Sequence, residues 1–229
     1  METAKVGTIR NSYLTLRLII GILGVALPFI LLFANSGPLP SISDSYYTKS
    51  AVFFIAILFS IGLFLVAYKG YESRGEKMTD NIITNIGGFA ALFVILFPTT
   101  CPDNFYCSCL YGHTISWISW VHFASAGIFL TSMGWMSIFQ FPKGEHSNWN
   151  KGLYIFFGVM VWLSLVVLIL GLIGFHLIGS DPGTFVFWME SIAVWFFGIS
   201  WLIKGHALRS LANLLNMFAG PKTENKDSE

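Results

Sequence analysis

The stretch GLYIFFGVMVWLSLVVLILGLIGF, residues 152–175, carries no charged residue and decides the class of this protein. A helix needs about 20 mostly apolar residues to cross the hydrocarbon core of a membrane, so this stretch is long enough to span it. Across the 229 residues, 11% are charged and 55% are hydrophobic, whereas roughly 25% are charged in an ordinary soluble domain. This composition excludes a disordered chain and argues against a water-soluble globule. The net charge of +1 gives no indication of nucleic-acid binding.

Five further apolar stretches are candidate membrane spans, at residues 14–33, 50–68, 82–97, 115–141 and 184–203. None of them alternates like a strand of a membrane barrel. The sequence therefore predicts an all-α, polytopic bundle of six transmembrane helices, forming one domain over residues 1–220. The polar residues 221–229 are predicted to be a disordered tail.

A short C-terminal segment has its own helical pattern after the sixth span. Its apolar residues recur at helical spacing and are Leu208, Leu211, Leu214, Leu215 and Phe218. This pattern predicts either a short amphipathic helix on the membrane surface or a simple extension of the sixth span.

The cations predict the orientation of the bundle. Of the 13 Lys and Arg residues, only Lys49 lies in the first, third or fifth connection. The other cations lie in the N-terminal arm, the second and fourth connections and the C-terminal segment. Since cytoplasmic loops carry the excess of Lys and Arg, both termini are predicted to be cytoplasmic. The outer face is then formed by residues 34–49, 98–114 and 176–183.

Two polar residues within the spans point to a functional site, because such groups are costly in a membrane and usually functional. Glu190 lies about six residues into the sixth span, and His122 lies about seven residues into the fourth. At about 1.5 Å per residue, both lie roughly 10 Å below the outer boundary. We therefore predict that Glu190 and His122 are partners, as an ion pair, a proton relay or metal ligands.

The first outer connection, GPLPSISDSYYTKS, supplies further candidates. Asp44 either caps the start of the second span or approaches His122 and Glu190 together with Ser43. His176 lies at the outer end of the fifth span. The candidate polar cluster is therefore Asp44, His122, Glu190, Ser43 and His176. It has three open interpretations, which are a structural or gating pair, a site for a lipid headgroup, and a catalytic centre.

The sequence assigns no metal and no cofactor. The five histidines are scattered and lack an H-E-x-x-H motif. Cys101, Cys107 and Cys109 all lie in the third outer connection, where an oxidising environment favours a disulfide. Cys101 paired with either of the other two would close a small loop and leave one thiol.

Two motifs carry a resemblance to a known family. The segment Pro40-Ser41-Ile42-Ser43-Asp44 resembles the P-x-I-S-D element of the Frag/DRAM/Sfk-type six-helix membrane proteins, and Val121-His122-Phe123 with Ala126 looks like their helix-borne histidine. The sixth span is also similar to that of uncharacterised prokaryotic six-span proteins, through Glu190, residues 197–201 (FGISW) and Lys204-Gly205. The cysteine-rich outer loop departs from the family. The resemblance implies a lipid-linked role at the outer or lumenal leaflet.

The expected function is the handling of a lipid or lipid-linked substrate at a polar cavity in the outer leaflet, with the lipid bilayer as partner and no nucleic acid. One alternative is a membrane-embedded hydrolase or acyltransferase that uses His122 with Asp44 and Glu190, or with Ser43 or a metal. Another is a small proton-coupled transporter, and a third is a purely structural subunit. The sequence identifies no protein partner.

Overall fold

The computed structural model describes residues 2–70, 78–101, 116–143 and 145–205, with the backbone alone for residues 2–13 and 116. These parts of the chain contain six α-helices and no strand. The helices are α1 (Glu2–Asn35), α2 (Ala51–Ala67), α3 (Asp80–Leu96), α4 (Ser116–Trp135), α5 (Asn148–Ile178) and α6 (Phe185–Lys204). A 3₁₀ helix (Ser43–Tyr47) lies in the α1–α2 loop, and a π-helical turn (Met136–Gln140) continues α4.

The predicted all-α class is confirmed for this part of the chain. Four helical segments are long and apolar enough to cross a membrane, namely Leu14–Asn35, Trp117–Gln140, Asn148–Ile178 and Phe185–Lys204. Helices α2 and α3 are apolar and each has 17 residues. The predicted amphipathic segment and the polar tail, residues 206–229, lie outside the described residues.

The helices form a closed ring in chain order. Each helix packs against the next one, and α6 closes the ring by packing against α1. We call the end of the bundle that carries the α1–α2 loop (residues 36–50) the loop end. The C-termini of α1, α3 and α5 and the N-termini of α2, α4 and α6 lie at this end. Residues far apart in sequence are thus brought together there.

Glycines allow a close contact between α1 and α6. A side-chain carbon added at Gly198 would lie 2.7 Å from the backbone nitrogen of Val25 and 2.9 Å from the carbonyl oxygen of Gly21. Small residues of this kind let helix backbones approach each other in membranes. This contact fixes α6, and hence Glu190, against the first helix.

Candidate functional site

The α1–α2 loop is attached to the N-terminal part of α6 by two hydrogen bonds. The backbone N–H of Phe187 donates to the carbonyl of Pro40 over 3.1 Å. The backbone N–H of Ile42 donates to Oε2 of Glu190 over 2.7 Å. Glu190 is partly buried, and its carboxyl group therefore anchors a loop that lies 148 positions earlier in the sequence.

The next residue of the loop, Ser43, is attached to α4. Its hydroxyl lies 2.8 Å from Nε2 of His122, and the side chains are 8% and 2% exposed, respectively. Nδ1 of His122 lies 2.9 Å from the carbonyl oxygen of Val94 on α3 and 2.9 Å from that of Phe97, the residue that follows α3. Carbonyls only accept hydrogen bonds, so Nδ1 carries the proton. In the neutral imidazole, Nε2 then accepts the hydrogen bond that Ser43 donates.

The end of α3 explains why two carbonyls are available to His122. The last carbonyls of a helix have no partner within the helix. The carbonyl of Val94 would normally accept from the N–H four residues later, but that residue is Pro98, which has none. Pro98 therefore leaves an acceptor at the loop end, and His122 uses it. This proline is the sequence signal that could have located the partner of His122.

Asp44 binds within its own loop. Its Oδ2 accepts from the backbone N–H of Ser41, and the hydroxyl of Ser41 accepts from the N–H of Asp44, both over 3.1 Å. Burial raises the pKa of Asp44, while the hydrogen bonds from Ser41 lower it in part. The prediction that Asp44 caps the second span is wrong, because Ser50 is the residue that precedes α2. Asp44 instead stabilises the turn of residues 41–44, which contains Ser43.

Two other expectations for the cluster need correction. His122 and Glu190 were expected to be partners, but His122 binds Ser43 and α3, whereas Glu190 binds Ile42. They are linked indirectly, through adjacent residues of the same loop. His176 lies exposed in the last turn of α5, outside this hydrogen-bonded group.

A second set of contacts holds the beginning of the third connection. The hydroxyl of Tyr47 donates to the carbonyl of Thr99. The backbone N–H of Thr100 donates to the hydroxyl of Ser119 on α4 over 2.8 Å. The next residue, Cys101, is buried and forms a disulfide. Cys107 and Cys109 lie outside the described residues, so the choice of its partner stays a prediction.

A central cavity of about 50 Å³ lies beneath the α1–α2 loop. Ser43 and Glu190 supply its polar lining groups, and the other lining side chains are apolar. These apolar residues come from α1, α2, α3, α4, α6 and the loop, and they are Leu27, Ile42, Phe54, Leu58, Ile61, Val94, Ala126, Phe129, Leu130, Val194 and Phe197. An apolar space with polar groups on its wall suits an amphipathic molecule.

Sequence reasoning missed a second polar group at the opposite end of the bundle. Arg17 is 5% exposed and donates from Nη2 to the hydroxyl of Tyr68 over 2.6 Å. Lys204 is 8% exposed and donates to the carbonyl of Phe141 over 2.6 Å, with the ring of Tyr154 at 5.4 Å. In the sequence these cations indicate only the orientation of the bundle, because nothing in their spacing shows that they are buried.

Comparisons with known proteins identify no relative of this chain, so the site is interpreted from its own geometry. No family model, curated protein or solved structure matches the chain. Among the described residues, no group of three or more His, Cys, Asp or Glu side chains is placed to hold a metal ion.

Proposed function

We propose that this protein is a six-span integral membrane protein that binds a lipid or lipid-linked molecule through the central cavity. Both termini would lie in the cytoplasm, and the loop end would face the outer leaflet. The distribution of Lys and Arg supports this orientation, since Lys49 is the one cation of the predicted outer connections. Helices α2 and α3 are each about 25 Å long at 1.5 Å per residue, close to the roughly 30 Å of a membrane core.

The chemistry of the central cavity is the observation that carries the proposal. Its volume of about 50 Å³ is far below the roughly 300–1,000 Å³ of sites for drug-sized ligands. A volume of this size has room for a short segment of a narrow apolar chain, with its polar end near Ser43 and Glu190. The proposed relationship to the Frag/DRAM/Sfk-type proteins implies the same class of ligand, and it rests on the motifs quoted above.

A cavity-filling substitution tests the proposal. Ala126 lines the cavity from α4, whereas Ile128, two residues later on the same helix, is 48% exposed on the outer surface of the bundle. We expect Ala126→Phe to lose most of the lipid that copurifies with the wild-type protein. Ile128→Phe adds an aromatic ring to the same helix, and it should retain the lipid.

Native mass spectrometry of the purified proteins measures this difference, and thermal unfolding shows whether each variant is folded. A folded Ala126→Phe protein that carries as much lipid as the wild type would contradict the proposal. Glu190→Gln tests the polar end separately. Equal lipid content in this variant and the wild type would argue against a role for Glu190 in holding the headgroup.

A further inference from the structure

Ser43 and His122 have the geometry of a nucleophile and its general base. Such pairs lie within about 2.6–3.2 Å, with the base oriented by a third group. The distance here is 2.8 Å. The carbonyls of Val94 and Phe97, at 2.9 Å from Nδ1, supply the orienting group that a carboxylate supplies in a Ser-His-Asp triad. They fix the tautomer in which Nε2 accepts the proton of Ser43.

Ser43 also lines the central cavity, which distinguishes it from other buried serines. The hydroxyls of Ser137 and Ser200 bind each other over 2.6 Å at the opposite end of the bundle. The hydroxyl of Ser45 is buried without a hydrogen-bond partner among the described residues. Ser43 therefore contacts an imidazole and also lines an apolar space with room for a short segment of an acyl chain.

We propose that Ser43 is a catalytic nucleophile, with His122 as its base, and that the substrate is a lipid acyl ester. This inference rests on the proposed function, because the acyl chain would occupy the same cavity. The oxygen of Ser43 attacks the ester carbonyl carbon while its proton passes to Nε2 of His122. The bond from that carbon to the alcohol oxygen breaks, and the alcohol leaves with the proton from His122.

The resulting acyl group on Ser43 is then transferred to water or to a second alcohol. That molecule gives its proton to His122 and attacks the acyl carbon. The bond to Ser43 breaks, and its oxygen takes the proton back. The cycle yields a fatty acid or a new ester, is redox-neutral and restores both residues.

Covalent labelling tests this assignment in the full-length protein in detergent or nanodiscs. The probe is a dodecyl fluorophosphonate, whose phosphorus bonds to an activated serine oxygen with loss of fluoride and the serine proton as HF. Peptide mass mapping identifies the labelled residue. We expect labelling at Ser43, none at this position in Ser43→Ala, and unchanged labelling in Ser45→Ala, which removes a hydroxyl from the same 3₁₀ helix.

His122→Gln should slow the labelling by roughly 100-fold or more, since general-base catalysis contributes about 10²–10⁴-fold. A purely structural Ser43–His122 contact predicts no labelling in the wild type. Absent labelling, labelling at another residue, or an unchanged rate in folded His122→Gln would each overturn the inference. If His122→Gln does not fold, mapping of the labelled residue in the wild-type protein still tests whether Ser43 is the nucleophile.

Failure of this inference is distinguishable from failure of the proposed function. Wild-type protein that retains copurified lipid but is not labelled would overturn the catalytic assignment and leave lipid binding supported. Labelling at Ser43 in a protein without copurified lipid would support the nucleophile and contradict stable lipid binding. If Ser43→Ala retains lipid but is no longer labelled at this position, the result supports both lipid binding and the catalytic assignment.

Discussion

Replacing Glu190 should release the α1–α2 loop from α6. The carboxyl group accepts the backbone N–H of Ile42 over 2.7 Å, and Ile42 is 5% exposed. In Glu190→Ala this N–H loses its acceptor in a buried position. In Glu190→Gln the side-chain amide keeps an oxygen of similar reach. We therefore expect Glu190→Ala to loosen the loop and Glu190→Gln to preserve most of its attachment.

The size of the effect follows from the cost of one unpaired group. A buried donor left without a partner costs roughly 1–3 kcal/mol. Each 1.4 kcal/mol is a factor of ten in an equilibrium constant, so opening of the loop should become roughly 5- to 150-fold more frequent. The second attachment, from Phe187 to Pro40, remains in place, so we expect local opening and not global unfolding.

Hydrogen–deuterium exchange of a peptide covering residues 38–48 measures this opening directly. Glu145→Ala is a matched control, because that carboxylate also accepts backbone N–H groups, from His146 and Ser147, in an exposed loop. It should leave exchange at residues 38–48 unchanged. Equal exchange in Glu190→Ala and the wild type would refute the view that Glu190 anchors the loop.

Three further predictions concern packing, titration and the opposite end of the bundle. Gly198→Ala should destabilise the protein by roughly 1–3 kcal/mol in thermal unfolding, because the new carbon meets the α1 backbone at 2.7 Å. Gly127→Ala, where a new carbon meets nothing within 4 Å, should not destabilise it. Because the pKa of Asp44 is raised on folding, the folded state binds its proton more tightly. Stability should therefore fall as pH rises above about 4, and Asp44→Asn should flatten that dependence in unfolding measurements across pH. Tyr68→Phe removes the acceptor of two hydrogen bonds from buried Arg17 and should lower the free energy of unfolding by roughly 1.5–3 kcal/mol. An unchanged unfolding midpoint would contradict this role for the hydroxyl.

The positions of the helices could be predicted from the sequence, because the length of an apolar stretch and the residues that end it are local properties of the sequence. Residues 152–175 lie within α5, and residues 14–33 lie within α1. The fourth stretch, residues 115–141, corresponds to residues 116–140 of the structure. The structure divides it into α4 and a π-helical turn, and apolar composition alone does not distinguish these two forms of helix.

The partners within the candidate site could not be predicted in the same way. His122 and Glu190 were singled out correctly as unusual polar residues, but matched depth does not show which groups touch. Ser43 and His122 are 79 positions apart, and their contact depends on how the loop folds onto the ring. The one local signal was Pro98, which leaves the carbonyl of Val94 without its usual helical partner and available to the imidazole.

The α1–α2 loop links Glu190 to His122, although the two side chains are not hydrogen-bonded to each other. Ile42 and Ser43 are adjacent, yet one is held by α6 and the other by α4. Since one peptide unit joins them, a shift of Ile42 away from Glu190 also moves the Ser43 hydroxyl relative to Nε2 of His122. Glu190 lines the central cavity, and in the proposed reaction it would act as a positioning residue for the Ser43–His122 pair. A ligand that engaged its carboxyl group would act on the loop and on the pair together, and its binding would then change the alignment of Ser43.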